Sequence, residues 1–280
     1  ASPETAPPGL TGGLLRSLDP VGAGLLGLAV LAVLLPFMEA HDSPLTWLWF
    51  PAGLVLAYGW VKWERHYARR GGSPMVDLDI FSISSFTNGT LIMTLYFLGM
   101  TSVWVLVALY AQMGAGQTAF EAGLLGVPAA LVSAYAADWA GKRVMRYGRK
   151  IVIYGILLAL LGLASSILVA YLHEKDMVSI WWLVLSLSFI GLAQGSVISP
   201  NQALTLADVP LDYAGSSGAI MQTGQRIGTS IGIAMITAAA FAALKAWSSW
   251  AIAVMVGFGV VALVVVLALL VAIKDLRDRR

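Results

Sequence analysis

The sequence predicts an all-α integral membrane protein with eight transmembrane helices. Apolar residues make up 59% of the 280 residues and charged residues only 11%, whereas soluble domains carry about 25% charged residues. The apolar residues also fall into eight long runs, and most of these reach the ~20 residues that a helix needs to cross the hydrocarbon of a bilayer. Because a water-facing shell cannot be built from so few charges, the bilayer is the expected environment of the chain.

The eight predicted spans follow one another with short connections. The second span is short, but Trp47, Trp49, Trp60 and Trp63 lie near its two ends, where the headgroup region favours aromatic rings. We therefore count it as a transmembrane helix. The predicted spans cover residues 20–40, 46–61, 90–112, 122–141, 151–172, 178–201, 218–244 and 247–273.

The distribution of cations predicts the orientation of these spans. Of the 17 Lys and Arg residues, 15 fall on one side of the bilayer when the first helix starts in the cytoplasm, and only Lys175 and Lys245 fall outside. Cytoplasmic loops are the ones that carry an excess of Lys and Arg, so both termini are predicted to be cytoplasmic. The net charge is only +2, which gives no indication of nucleic-acid binding.

Polar stretches divide the predicted chain into five segments. Residues 1–17 are rich in Pro, Gly and Thr and are interpreted as a linker, and a long basic stretch with Gly71, Gly72 and Pro74 separates the second span from the third. The segments are a linker at 1–17, a two-helix transmembrane hairpin at 18–63, a cytoplasmic basic linker at 64–79, a six-helix block at 80–274 and a cytoplasmic tail at 275–280.

Glycines at four-residue spacing predict close helix packing within the six-helix block. Gly191 and Gly195 form one G-x-x-x-G pattern, and Gly224, Gly228 and Gly232 form a double one. Small residues at this spacing let membrane helices approach each other closely. Structural packing is the favoured interpretation, and a moving contact between transporter halves is the alternative.

The segment GKRVMRYGRK at residues 141–150 resembles the signature loop of the major facilitator superfamily, with Met145 in place of the usual acidic residue. Its position between the second and third helices of the six-helix block also fits that family. The segments at 18–22, 63–65, 74–81, 120–128 and 222–234 are similar to the fourteen-helix drug/proton antiporters of the superfamily. The resemblance covers the last eight helices of such a protein, namely two central helices and a C-terminal half bundle.

The resemblance implies transport. The chain is expected to be the C-terminal portion of a proton-coupled exporter of amphipathic or drug-like compounds that requires a six-helix N-terminal half. The alternative is a non-transporting membrane scaffold subunit of a larger complex. The implied partners are the lipid bilayer, the N-terminal half or other membrane subunits, and a small amphipathic substrate. The implied location is the inner (plasma) membrane of a bacterium.

The resemblance also places a substrate cavity wall on four helices of the six-helix block. Tyr96 and Trp104 are eight residues apart and share a helix face, where they could stack on a lipophilic cation or simply pack. Gln194 could contact substrate or join helices through its amide. The residues expected at the cavity are Tyr96, Trp104, Gln194, Asn201, Gln222 and Gln225.

Charged residues near the predicted cytoplasmic ends are candidates for gating. Asp138 is expected to pair with Lys142 or Arg143. Arg226 is expected to reach Asp208 or Asp212. Charges inside membrane helices are costly and functional by default. The glutamates Glu39, Glu64 and Glu121 lie at predicted helix ends with access to water, so proton coupling is expected mainly in the other half.

No signal for catalysis or for a bound cofactor is present in the sequence. The chain has no cysteine, and its three histidines lie at or beyond predicted helix ends on different sides. Phosphate-loop and nucleophile-elbow motifs are absent from the sequence. The sequence therefore predicts neither an enzyme, nor a metal site, nor a cofactor.

Overall fold

A computed structural model describes residues 19–38, 44–70, 78–210 and 213–278. Every regular element in these ranges is helical, which confirms the predicted all-α class. The chain divides into two compact units, Ala1–Ser82 and Ile83–Arg280. The predicted division into five segments, with the six-helix block starting at residue 80, stays a prediction.

The first unit is a helical hairpin of α1 (Pro20–Met38) and α2 (Trp49–Arg69), with a 3₁₀ turn at Pro44–Leu48. The helices touch at Gly53, where an added Cβ would lie 2.7 Å from the backbone nitrogen of Val33. Asp19 precedes α1, and its Oδ1 accepts a 2.9 Å hydrogen bond from the Gly22 backbone N–H. The carboxylate thereby satisfies one of the free N–H groups at the start of the helix.

Glu64 lies inside the hairpin, so the expectation that water surrounds it is wrong. Glu64 is only 1% exposed, and Trp60 Nε1 donates a 3.0 Å hydrogen bond to Glu64 Oε1. The physical reason is the length of α2. The helix continues to Arg69, eight residues beyond the predicted end at residue 61, so Glu64 lies within the helix and packs against α1. The first part of the predicted basic linker is therefore helix. Glu39 lies outside the described residues.

The second unit contains six long helices and two short ones. Its helices are α3 (Ser84–Leu109), α4 (Ala119–Leu124), α5 (Val127–Gly141), α6 (Val144–Tyr147), α7 (Arg149–Glu174), α8 (Leu183–Leu206), α9 (Ala214–Trp247) and α10 (Trp250–Asp278).

Local sequence signals explain where two of these helices begin. Thr118 and Glu121 form a capping box at α4, in which each side chain accepts a hydrogen bond from the backbone N–H of the other. Gly148 precedes α7 with φ of 54°, a conformation that glycine adopts without strain. That turn brings the chain from α6 into α7 and places Arg149 at the first position of the helix.

Six helices of the second unit are long and apolar enough to cross a membrane. In the hairpin, the described residues contain one shorter apolar helix, Val21–Pro36. α2 is not among these spans, and its second half carries Lys62, Glu64 and Arg65. The helical membrane bundle is thus confirmed, and two further crossings by the hairpin stay a prediction.

The six long helices pack in a definite order. α8 packs between α5 and α7, α10 packs on α7 and α3, and α3 also contacts α9. α5 and α9 consequently lie at the two ends of this order. They are also the least buried spans: 22% and 28% of the residues in their most apolar stretches are buried, against 39% or more in the other four spans.

The predicted glycines lie where helices approach most closely. Gly191 and Gly195 of α8 face the backbone of α5 at Ala129 and Ser133. A Cβ added at Gly191 or Gly195 would clash with the carbonyl oxygen of Ala129 or of Ser133, respectively. Glycine at these positions therefore allows the two helix backbones to meet.

The second glycine stripe joins α9 to α3. A Cβ at Gly224 would lie 2.6 Å from Thr94 Oγ1. Further along, Gly228 and Gly232 face the carbonyl oxygens of Thr94 and Leu98. Both stripes thus form close contacts within the second unit, and a moving contact between halves stays a prediction.

Candidate functional site

A buried ion pair joins two helices of the second unit at the end that the charge distribution predicts to be cytoplasmic. Arg149 Nε donates to Asp275 Oδ2 over 2.5 Å, and both side chains are only 1% exposed. Arg149 is the first residue of α7, and Asp275 lies in the last turn of α10. α10 continues to Asp278, so Asp275 belongs to the bundle and not to the tail predicted at 275–280.

Two asparagines extend this ion pair to two more helices. Arg149 Nη1 donates to Asn201 Oδ1, and Asn201 Nδ2 donates to the Gly89 carbonyl oxygen over 2.9 Å. Asn88 Nδ2 donates to Asp275 Oδ1 over 3.0 Å. We call Asn88, Arg149, Asn201 and Asp275 the charge cluster.

The charge cluster fastens the ends of four helices to one another. Asn201 is fully buried, and Arg149 and Asp275 are almost so. Each charge therefore needs its partner, because an isolated charge in a dry interior is strongly disfavoured. The hydrogen bonds of the charge cluster thus link the ends of α3, α7, α8 and α10.

Sequence reasoning did not find the charge cluster. The sequence assigns Arg149 to the signature-like loop and Asp275 to the tail at 275–280, and it predicts no contact between them. The two residues are far apart in the sequence, and no periodic pattern links them. The available signal was a carboxylate in the last turn of the final helix, at the same predicted side of the membrane as the basic loop.

The residues predicted for the substrate cavity fall into two groups. Tyr96, Asn201 and Gln225 are buried inside the second unit, with exposures of 1%, 0% and 6%. Trp104 and Gln194 are half-buried, and Gln222 is exposed. The structure thus gives Asn201 a partner in the charge cluster and leaves Gln222 on an open helix face.

Two buried polar atoms of the first group have no hydrogen-bond partner among the described residues. They are the Tyr96 hydroxyl oxygen and Gln225 Nε2. A buried polar group without a partner costs free energy comparable to a lost hydrogen bond. Each of these atoms can therefore still form a hydrogen bond if a polar partner comes within reach.

The predicted gating residues lie on the surface of the second unit. Lys142 Nζ and Asp138 Oδ2 form an ion pair of 2.7 Å, with side-chain exposures of 70% and 63%. Arg143 lies over the Trp139 ring at 4.7 Å and donates to the Trp139 carbonyl oxygen. The gating role of these residues stays a prediction.

Arg226 lies exposed on α9. Asp212, one of its two predicted partners, lies outside the described residues, so the predicted pair with the preceding loop is not tested. Gln222 is one helical turn before Arg226 and is also exposed. The open face of α9 therefore carries an amide and a guanidinium one turn apart.

No group of three or more His, Asp or Glu side chains that could hold a metal ion occurs among the described residues.

Comparison with known proteins supports the resemblance. The family model described as Major Facilitator Superfamily matches residues 13–233. The probable actinorhodin transporter of Streptomyces coelicolor is 25% identical over 222 residues, which cover 78% of this chain and 38% of the relative. The probable transport protein HsrA of Haemophilus influenzae is 26% identical over 225 residues, covering 80% and 46%.

A third relative is the lincomycin resistance protein LmrB of Listeria innocua. It is 27% identical over 184 residues, which cover 62% of this chain and 36% of the relative. The chain thus spans less than half the length of each of these three curated relatives.

Proposed function

The chain belongs to the major facilitator superfamily, and from that premise we propose that it is the C-terminal portion of a proton-coupled exporter of amphipathic, drug-like compounds. The proposal includes a six-helix N-terminal half as its partner. Relatives named for antibiotic transport or resistance support the substrate class. Their greater length supports a partner half.

The observation that carries the proposal is the open face of α9. Arg226 lies about 18 Å along this helix from its start, at a rise of 1.5 Å per residue. α9 is 34 residues long, so it exceeds the hydrocarbon thickness and Arg226 falls inside the membrane boundary when the helix is centred. A charge at that depth faces protein or a water-filled cavity, since contact with lipid tails is costly.

The low burial of α5 and α9 supports a partner that covers their open faces. The glycine stripes close one face of each helix, that of α5 against α8 and that of α9 against α3. Transporters of this architecture bind substrate between two helical halves near the middle of the bilayer. We place the N-terminal half against the open faces of α5 and α9.

The proposed substrate wall uses the residues that remain accessible. Gln222 supplies a polar contact on α9, and the half-buried Trp104 and Gln194 supply an aromatic face and a second amide. A ring next to amides suits compounds with both apolar and polar parts. Tyr96 and Gln225 would add hydrogen bonds from inside the second unit.

Proton coupling is proposed to depend on the N-terminal half. Within the described spans, the most deeply buried carboxylate of the second unit is that of Asp275, which binds Arg149 and Asn88. Because Asp275 is only 1% exposed and both of its carboxylate oxygens are bound by side chains, it is poorly placed to exchange protons with water during each cycle. The carboxylate that carries the proton is therefore placed in the partner half.

The first experiment asks what accompanies the chain in its native membrane. The protein is purified in mild detergent through an epitope tag, and associated polypeptides are identified by mass spectrometry. We expect either a companion with about six membrane helices, or a single polypeptide much larger than 29.7 kDa. Recovery within an unrelated multi-subunit complex, without any transporter half, would favour the scaffold alternative.

The second experiment tests transport directly. The native assembly is reconstituted in liposomes, a pH gradient is applied, and movement of ethidium is followed by fluorescence. We expect Gln222→Leu to lower the transport rate severalfold. Gln112→Leu, which changes an exposed glutamine three residues beyond the end of α3, should leave the rate unchanged. Equal rates for both variants would remove Gln222 from the substrate wall.

A further inference from the structure

We propose that the hairpin of the first unit carries a binding site for an anionic phospholipid. The site is a cleft along α2 that is apolar near Val55 and cationic towards Arg69. The cleft has a volume of about 790 Å³. This inference is independent of the proposed transport function, because it concerns residues 19–70 alone.

The apolar part of the cleft is suited to an acyl chain. It is lined by Leu25 of α1 and by Val55, Leu56 and Gly59 of α2. Val55 is 70% exposed, so its side chain is available for contact. No heavy atom lies within 4 Å of the position that a Gly59 Cβ would take, which leaves a gap in the wall at this point.

The cationic part begins one turn further along α2. Lys62, Arg65, His66 and Arg69 line it, and all four are exposed. Lys62 Nζ lies 4.9 Å from the centre of the Tyr58 ring, and Arg69 Nε donates to the Arg65 carbonyl oxygen. Among the described residues, none of these side chains forms an ion pair.

The nearby carboxylates do not neutralise this part of the cleft. Asp19 and Glu64 are 3% and 1% exposed and lie between α1 and α2. Asp19 Oδ2 accepts a 2.8 Å hydrogen bond from Trp63 Nε1, and Glu64 Oε1 accepts one from Trp60. The acidic side of α2 is thus turned inward, and three fixed positive charges remain for an external anion.

Trp63 forms a rigid wall between the two parts of the cleft. Its indole nitrogen is bound to Asp19, and its ring stacks on Tyr67 at 6.2 Å with an interplanar angle of 16°. Indole rings favour the headgroup level of a bilayer. A phosphate at Lys62, Arg65 and Arg69 would then place its acyl chain beside Val55 and Leu56.

The occupant that fits this arrangement is a phospholipid with net negative charge. From Val55 to Arg69 α2 rises about 21 Å, which matches a headgroup together with the upper part of an acyl chain. Clusters of Lys and Arg at the end of a membrane helix attract anionic lipids. An acidic peptide would satisfy the cations but would leave the apolar part of the cleft without a partner.

The test uses the full chain, delipidated in dodecylmaltoside and titrated with phosphatidylglycerol that carries a photoreactive group on its acyl chain. Cross-linked peptides are mapped by mass spectrometry. We expect cross-links at α2 residues 55–59, and much weaker ones with the same probe on phosphatidylcholine. Cross-links confined to helices other than α1 and α2, or equal labelling by the two lipids, would overturn the proposal.

Two variants separate the two parts of the cleft. We expect the triple substitution Lys62→Gln, Arg65→Gln and Arg69→Gln to weaken phosphatidylglycerol binding about tenfold or more, as measured by native mass spectrometry. Gly59→Leu should weaken binding by filling the gap, without disturbing the helix. Gly27→Leu is its matched control, because an added Cβ there also meets no atom within 4 Å and Gly27 does not line the cleft.

Free inorganic phosphate distinguishes a lipid site from a simple anion site. We expect inorganic phosphate in excess over phosphatidylglycerol to leave the lipid bound, because phosphate makes no contact with the apolar part of the cleft. Displacement by phosphate, or an unchanged affinity in Gly59→Leu, would show that the acyl chain contributes nothing and would refute the lipid assignment.

Discussion

The basic segment between α5 and α7 contributes to two ion pairs with opposite surroundings. Lys142 pairs with Asp138 on the surface, where their side chains are 70% and 63% exposed. Arg149 pairs with Asp275 in the interior, where both are 1% exposed. The first pair joins neighbouring turns of one helix end, whereas the second joins α7 to α10 through residues that are 126 positions apart in the sequence.

The difference shows that burial within the bundle, and not the type of charge, decides how strongly the loss of one partner of an ion pair affects stability. An exposed pair four residues apart gains little because water screens both charges. A buried pair is strongly coupled, since loss of one partner leaves the other charged in a dry interior. We therefore expect mutations at the two pairs to differ severalfold in effect.

The largest effect is expected for Asp275→Leu. Arg149 would keep its charge without its carboxylate partner, and the free energy of unfolding should fall by about 3 to 5 kcal/mol. Unfolding by SDS in mixed micelles measures this change. Asp278→Leu, an exposed carboxylate in the same last turn, should have little effect, and equal losses in the two variants would contradict the buried pair.

An intermediate effect is expected for Asn201→Leu. The change removes the hydrogen bonds to Arg149 and to the Gly89 carbonyl, and leaves both groups buried without that partner. The expected loss is about 1 to 3 kcal/mol in the same unfolding assay. Gln202→Leu, at the next and less buried position, is the control and should change stability less.

The double substitution Arg149→Met with Asp275→Leu sharpens the comparison. Replacing both charges by apolar side chains removes the uncompensated guanidinium, so most of the stability lost in Asp275→Leu should return. The double variant should therefore unfold at a higher SDS fraction than the single one. Additive losses from the two substitutions would instead show that the residues act independently.

The smallest effect is expected for Asp138→Asn. The exposed pair with Lys142 contributes only about 0.3 to 0.5 kcal/mol, as is typical of surface pairs at this spacing. Raising the salt concentration should weaken the wild-type contribution further. A loss above about 1 kcal/mol in the unfolding assay would show that Asp138 has an additional partner.

The helices were predictable because their signals are local. Apolar runs of membrane length predicted six spans that the structure contains. The glycine stripes predicted close helix packing, and the structure places that packing between α8 and α5 and between α9 and α3. The pair between Asp138 and Lys142 follows from their spacing of one helical turn. The Asp138–Lys142 pair lies at one helix end, and the apolar runs and glycine stripes are patterns that repeat along single helices.

Glu64 and Asp275 were misplaced for the opposite reason. Both lie close to a predicted boundary between membrane and water, and a shift of a few residues in a helix end decides whether such a carboxylate is solvated or buried. Extension of α2 to Arg69 and of α10 to Asp278 carries both carboxylates into packed interiors. Helix ends are the least reliable feature of any prediction from sequence.

The sequence by itself determined the class of the protein, the spacing of its membrane helices and the contacts within single helices, because hydrophobic length and periodicity act locally. Only the tertiary structure decided which face of each helix is closed. It turned Asn201 toward Arg149 and left Gln222 and Arg226 on an open face. The reason is that burial and charge pairing depend on helices distant in sequence, whose order of packing no local pattern encodes.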